Sequence, residues 1–254
     1  KNFESLEILD LTNNAIAEIE FDIDVEFRSL KMISVSGNRL NRLEGFGRLA
    51  SLERLVAAGN NIREIDEGFK GLTNLREIHL SNNKIMFITD FIKDMKKLET
   101  LNMSHNYIQS VDVNSLCNLK DLWLDDNSLS KFSIRKSSMR NLVSLYLQNN
   151  RIETIDFIDD EDSNRPYLPK IEHINLSCNQ LEYVEWLGNI PYGVRDIDLN
   201  HNKIAKLGKL DNLRSLEYFD ISCNQLQSNE SLDFYSFVEH RLHFGGNPFL
   251  KRVH

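Results

Sequence analysis

The chain has 254 residues, of which 35 are leucine, 28 asparagine and only 4 proline, and its 38 acids against 30 bases leave a net charge of −8. An apolar share of 41%, with aromatics along the whole length, excludes a disordered chain. No 18-residue stretch lacks charge, which excludes a transmembrane helix, and the acidic balance argues against a nucleic-acid binder. The nearest approach to a basic stripe is Lys131, Arg135, Lys136 and Arg140, read as the solvated surface of a loop, with a phosphate or lipid contact as the alternative. Cys117, Cys178 and Cys223 are odd in number, widely spaced and form no CxxC pair, which favours a reducing compartment. The chain opens abruptly at Lys1-Asn2-Phe3 with no signal segment, so it reads as a piece of something longer.

From Leu6 onward one template recurs, L-x-x-L-x-L-x-x-N-x-L. It is clear in Leu75-Arg-Glu-Ile78-His-Leu80-Ser-Asn-Asn83-Lys-Ile85 and in Leu142-Val-Ser-Leu145-Tyr-Leu147-Gln-Asn-Asn150-Arg-Ile152. Its asparagine falls at Asn14, Asn38, Asn60, Asn83, Asn106, Asn127, Asn150, Asn179, Asn202, Asn224 and Asn247, in steps of 24, 22, 23, 23, 21, 23, 29, 23, 22 and 23 residues. In Leu-x-Leu the leucines point to one side of a strand and the middle residue to the other. One such unit cannot bury its leucines alone, so neighbours stack and share a core, with parallel strands about 4.8 Å apart. The asparagine amide, two donors and an acceptor, can satisfy the turn that leaves each strand, which predicts a hydrogen-bonded ladder through the stack. Five residues after it comes a further apolar position (Ile19, Leu43, Ile65, Ile88, Val111, Phe132, Ile155, Val184, Leu207) that closes the core on the far side. The segments there are short and predict 3₁₀ turns and extended backbone, with few helices.

The step of 29 carries an acidic insertion in Phe157–Pro169. Counted from Asp160, the EF-hand positions for glycine and glutamate hold Arg165 and Ile171, so a calcium loop fails; a solvated loop or a specificity loop at the rim remains. Ser231–Glu239 reads as a short helix over the last core layer, before the ending Gly-Gly-Asn247-Pro248.

This pattern resembles the leucine-rich repeat superfamily over residues 1–254. The resemblance implies an α/β solenoid, a curved right-handed coil of about 11 repeats with a parallel sheet on its concave face. It implies one domain over 1–254, with ten repeats in 1–229 and a C-terminal cap in 230–254. The short repeats, such as Leu43-Glu-Gly-Phe46-Gly-Arg-Leu49, look like those of the regulatory subunit of type-1 protein phosphatase. They also look like those of the centriolin and yeast spindle-pole-body scaffolds.

Residues two, four and six before each ladder asparagine are expected to face outward on the concave side. Trp123 and Tyr146 fall on adjacent strands, with Asp121 and Asp125 beside the tryptophan, the composition of an interface hot spot. Asp196, Asp198 and Asp220 near Tyr218 form an acidic patch, and Ile8, Met32 and Val56 an apolar one; His79 and His173 lie on the same face. A protein partner with basic and apolar anchors would suit it. The two histidines are four strands apart, about 19 Å, too far to share a metal. Cys178 and Cys223 lie about 10 Å apart, beyond disulfide reach. No catalytic, phosphate-binding or metal motif is present, so no cofactor, metal or catalytic residue is assigned. The sequons at Asn102, Asn175 and Asn229 read as accidental. The expected function is therefore non-catalytic: a protein-interaction module of an intracellular scaffold, cytoplasmic or cytoskeletal, with the centrosome or spindle pole body as its site. A Toll-like or immune receptor ectodomain, or the regulatory repeats of a larger enzyme, are the alternatives.

Overall fold

The computed structural model describes residues 3–22, 26–65, 67–88, 90–158, 166–228 and 241–252. The chain divides into two compact units, 1–128 and 129–254. Most of the acidic insertion, the Ser231–Glu239 segment and the Asn229 sequon lie outside the described residues.

In the first unit the strands are β1 (Ile8–Asp10), β2 (Met32–Ser34), β3 (Arg54–Val56), β4 (Glu64–Ile65), β5 (Glu77–His79), β6 (Phe87–Ile88), β7 (Thr100–Asn102) and β8 (Asp121–Trp123). Six of them form one parallel sheet in the order β1-β2-β3-β5-β7-β8, while β4 and β6 pair separately on the return side. The second unit contains β9 (Lys131–Arg135), β10 (Ser144–Tyr146), β11 (Thr154–Ile158), β12 (His173–Asn175), β13 (Asp196–Asp198), β14 (Tyr218–Asp220) and β15 (Arg241–His243). Here β10-β12-β13-β14-β15 are parallel, and β9 pairs with β11. Every main-sheet pair is in register one repeat apart, for example Leu101 with Leu122 and Ile197 with Phe219.

The two-residue period explains the sheets. The middle residue of β2, β3, β5, β7 and β8 is at most 1% exposed, and so are Ile197 and Phe219 in the second unit. Its neighbours stay partly in solvent, apart from the buried Ser34 of β2. The return segments run through 3₁₀ turns at Phe46–Arg48, Glu67–Phe69 and Asp90–Asp94, and at Glu185–Asn189 and Pro248–Arg252, as their short lengths predict. Phe46 and Phe69 fill the core there. Coils approach so closely at this side that a Cβ on Gly47 would run into the carbonyl of Lys70. No helix among the described residues is long and apolar enough to cross a membrane.

The expected ladder is present. Asn127, nine-tenths buried, accepts the amide of Ile108 on Oδ1 at 2.9 Å and donates from Nδ2 to Met103 O (3.0 Å) and Leu124 O (3.1 Å). It thereby ties its own coil to the one before. Asn38, Asn60, Asn83, Asn106, Asn179, Asn202, Asn224 and Asn247 repeat the arrangement, as in Asn60 with Leu40 N, Val35 O and Ala57 O. Asn14 is exposed and donates to Leu11 O and Thr12 O of its own coil.

A second periodic feature accompanies it. The residue before every one of the eleven ladder asparagines is left-handed, with φ between +52° and +75°: Asn13, Gly37, Gly59, Asn82, His105, Asp126, Asn149, Cys178, His201, Cys223 and Gly246. In nine of these coils its amide donates to a carbonyl of the next coil, as in Asn82 N to Ser104 O at 3.0 Å and Cys178 N to Asn200 O at 2.9 Å. L-residues enter this region at a cost of roughly 1–2 kcal/mol, less for asparagine and aspartate, while glycine, without a Cβ, enters it freely.

Two outcomes follow. Asn127→Ala leaves Ile108 N and two carbonyls without their partner and lowers unfolding stability by about 1–3 kcal/mol, whereas Asn14→Ala, in an exposed turn, costs less than about 1 kcal/mol; urea denaturation midpoints measure both. Asn82→Gly leaves stability within about 0.5 kcal/mol and Asn82→Val lowers it by roughly 1–2 kcal/mol, since a β-branched residue resists positive φ; equal effects of the two would discount the left-handed requirement.

Candidate functional site

The outer sheet face is set by alternation, and each unit presents its own set of side chains. In the first unit β8 places Asp121 and Trp123 half-buried on that face. Asp125 departs from the simple pattern: it is 8% exposed, because the Ser104 hydroxyl donates to its Oδ1 at 2.5 Å and draws it against the previous coil. It contributes charge close to Trp123 but little accessible surface. His79 on β5 lies with Nε2 3.6 Å from Glu77, which is itself paired with Arg54 Nε at 3.1 Å. Of the apolar trio, Ile8 is exposed while Met32 and Val56 are half-buried.

In the second unit Tyr146 is half-buried on β10, and the acidic residues gather on β13 and β14. Asp198 and Asp220 are direct register partners on these strands, as are Asp196 and Tyr218. Tyr218 Oη donates to Asp220 Oδ2 at 3.3 Å. Asp198 accepts both the backbone amide and the side-chain amide of Asn200, at 3.0 and 2.6 Å. Burial pushes the Asp198 carboxyl above the ordinary carboxylate range and the charge of Asp220 adds to this, while the Asn200 amide opposes it. Burial, then the charges of Asp198 and Asp220, push the Tyr218 hydroxyl up to about 12. At one edge of the patch His173 Nδ1 meets Asp196 Oδ2 at 2.6 Å, and at the other the His243 ring lies 5.8 Å from that of Tyr218.

Sequence reasoning found the aromatic and acidic residues but not the pairing of His173 with Asp196, which depends on knowing that their strands are register neighbours. It also missed His105, which sits, like Asp126, in a left-handed turn beside the sheet. The basic stretch behaves as a surface: Lys131 and Arg135 are exposed on β9, and Lys136 Nζ lies 5.0 Å from the Tyr167 ring centroid. The three cysteines are exposed and none is joined in a disulfide. The sequon asparagines Asn102 and Asn175 have a local role, each accepting the amide two residues on, at 3.1 and 3.0 Å.

Comparison with known proteins agrees with this geometry. Residues 4–62 and 59–108 match the leucine rich repeat family, and residues 117–160 match its two-copy form. A 62-residue stretch is 34% identical to lumican from Oryctolagus cuniculus, covering 24% of this chain and 31% of lumican, so the chain spans less than a third of that relative. The crystal structure of the leucine-rich repeat domain of APL1B superposes with a TM-score of 0.76 at 21% identity, over 96% of this chain and 70% of that one. A leucine-rich repeat protein of Leptospira interrogans gives a TM-score of 0.51 at 20% identity, over 96% and 79%. These two likenesses speak to fold. With the family matches falling on the same coils that the asparagine ladder joins, the chain belongs to the leucine-rich repeat superfamily.

Proposed function

We propose that this chain is the partner-gripping part of an intracellular scaffold or adaptor, and that it takes a protein segment carrying a cationic group next to an apolar one. Leucine-rich repeat domains are typically protein-interaction modules and not catalysts. The observation that carries the finer reading is the pair Asp198 and Asp220, held side by side on β13 and β14 next to Tyr218. Two carboxylates crowded in a half-buried setting favour a lysine or arginine from outside, and the tyrosine ring supplies the apolar contact. In the first unit, Trp123 with Asp121 offers the same chemistry. A scaffold in the cytoplasm or on the cytoskeleton, including the spindle-pole group, suits three exposed cysteines outside any disulfide and sequons whose asparagines serve the turns.

Partners captured from host extract test this. Asp198→Asn with Asp220→Asn, or Trp123→Ala, lowers capture at least tenfold, and capture by the wild type falls as salt rises from about 0.05 to 0.5 M. Undiminished capture by both variants overturns the proposal. Native material shifted by glycosidase would overturn the intracellular assignment.

Asp198 also makes a stability prediction. A carboxyl whose pKa is raised in the fold destabilises the folded state when ionised; this penalty is fully present above the folded pKa and vanishes below the ordinary value of 3.8. Asn at 198 keeps an acceptor for Asn200 N. Asp198→Asn therefore raises the melting temperature at pH 7 and leaves it unchanged near pH 3, as calorimetry at the two pH values would show.

A further inference from the structure

We infer that His105, Asp125 and Asp126 form a binding site for a divalent transition-metal ion of the zinc class. They come from two successive coils of the first unit, His105 from one and Asp125 and Asp126 from the next, and one ligand atom from each lies within 4.8 Å of the others. Four ligands around zinc at bond lengths near 2.1 Å are separated by about 3.4 Å. His105 Nδ1 and Asp126 Oδ2 already stand 3.5 Å apart, one edge of such a tetrahedron. The third ligand, Asp125, is nine-tenths buried and oriented by the Ser104 hydroxyl at 2.5 Å, the arrangement that fixes a ligating carboxylate from behind. Closing the remaining distance requires only rotation of the His105 and Asp126 side chains, both of which reach solvent.

The backbone under the site is rigid. His105 and Asp126 are left-handed at φ +54° and +52°, and the coils are locked by His105 N to Asp125 O at 2.9 Å and Asn106 N to Asp126 O at 3.2 Å. Two carboxylates and a neutral imidazole balance a divalent charge. The imidazole selects zinc, copper or nickel over magnesium and calcium, which favour all-oxygen sets. Three protein ligands leave the fourth position to water or to a donor brought by another molecule.

The repeat supplies its own controls. Asn82 and Asn149 occupy the left-handed position in other coils, so asparagine is accepted there by this backbone. The metal-free chain is titrated with Zn²⁺ by calorimetry and with Co²⁺ by visible absorption, beside His105→Asn, Asp126→Asn, Ser104→Ala and His201→Asn. The wild type is expected to take up one ion, with Co²⁺ bands of four-coordinate intensity and a melting temperature that rises with Zn²⁺. His105→Asn and Asp126→Asn each weaken binding at least tenfold, Ser104→Ala about tenfold, and His201→Asn leaves it unchanged. Far-UV circular dichroism identifies any variant that has lost its fold; such a variant is replaced by His105→Gly, glycine being native at this position in Gly59 and Gly246. Absence of saturable binding, an affinity unmoved by loss of the His105 imidazole, or equal loss in His201→Asn would overturn the site.

Discussion

Each buried ladder asparagine commits its oxygen to a backbone amide of the preceding coil and its two hydrogens to carbonyls of both coils. These are groups that neither the strand ladder nor a helix reaches, since each coil leaves its three-residue strand at once. The side chain can reach them only if the chain turns sharply just before it, and a left-handed residue makes that turn. The two features are one device. Without the amide the turn has unsatisfied polar groups in the core; without the turn the amide points elsewhere. Leucine packing then follows, because the device holds successive strands in register and so brings Leu101 onto Leu122, and Ile197 onto Phe219.

Fixing the register also orders the flank of the sheet. The residue seven before each ladder asparagine alternates in sign through the first unit: Glu7, Lys31, Glu53, Arg76, Glu99 and Lys120. Glu99 is held between Arg76 and Lys120, each at 2.6 Å, and both lower its pKa. Glu172, Arg195 and Glu217 continue the alternation in the second unit. Exposed pairs of this kind contribute little stability each. Their effect is on choice: sliding one coil past its neighbour would part these opposite charges, a cost that the leucines, being interchangeable, would not impose.

Much of the fold was legible because leucine and asparagine recur with a period that only a solenoid uses. The left-handed column was not, since asparagine, glycine, histidine, aspartate and cysteine share a conformation and no chemistry that a composition scan detects. The cover over Asp125 was hidden for a related reason. Alternation puts it on the outer face, and there the hydroxyl of Ser104, 21 residues away, lies against it and shields it from solvent. The asparagine excess also has a second source beyond the ladder: Asn74, Asn118 and Asn212 donate to the carbonyls of Ala50, Lys96 and Leu187 in the preceding coils. The face residues Trp123, Tyr218, Asp198 and Asp220 were readable as a set, because the template states which positions the core leaves free.

That division of labour bears on why Asp198 and Asp220 can persist side by side. A half-buried carboxylate pair opposes folding, and in a small core it would threaten the native state. Here the coils are joined by backbone and asparagine bonds that do not involve the face, so the penalty stays local to one register pair. The same reasoning applies to His105 and Asp126, whose side chains are free to vary because the turn needs only their backbone. A repeat whose architecture is carried by leucine, asparagine and a left-handed turn can thus hold unfavourable charge where a partner or an ion would neutralise it, and the strength of that binding would draw on the repulsion relieved.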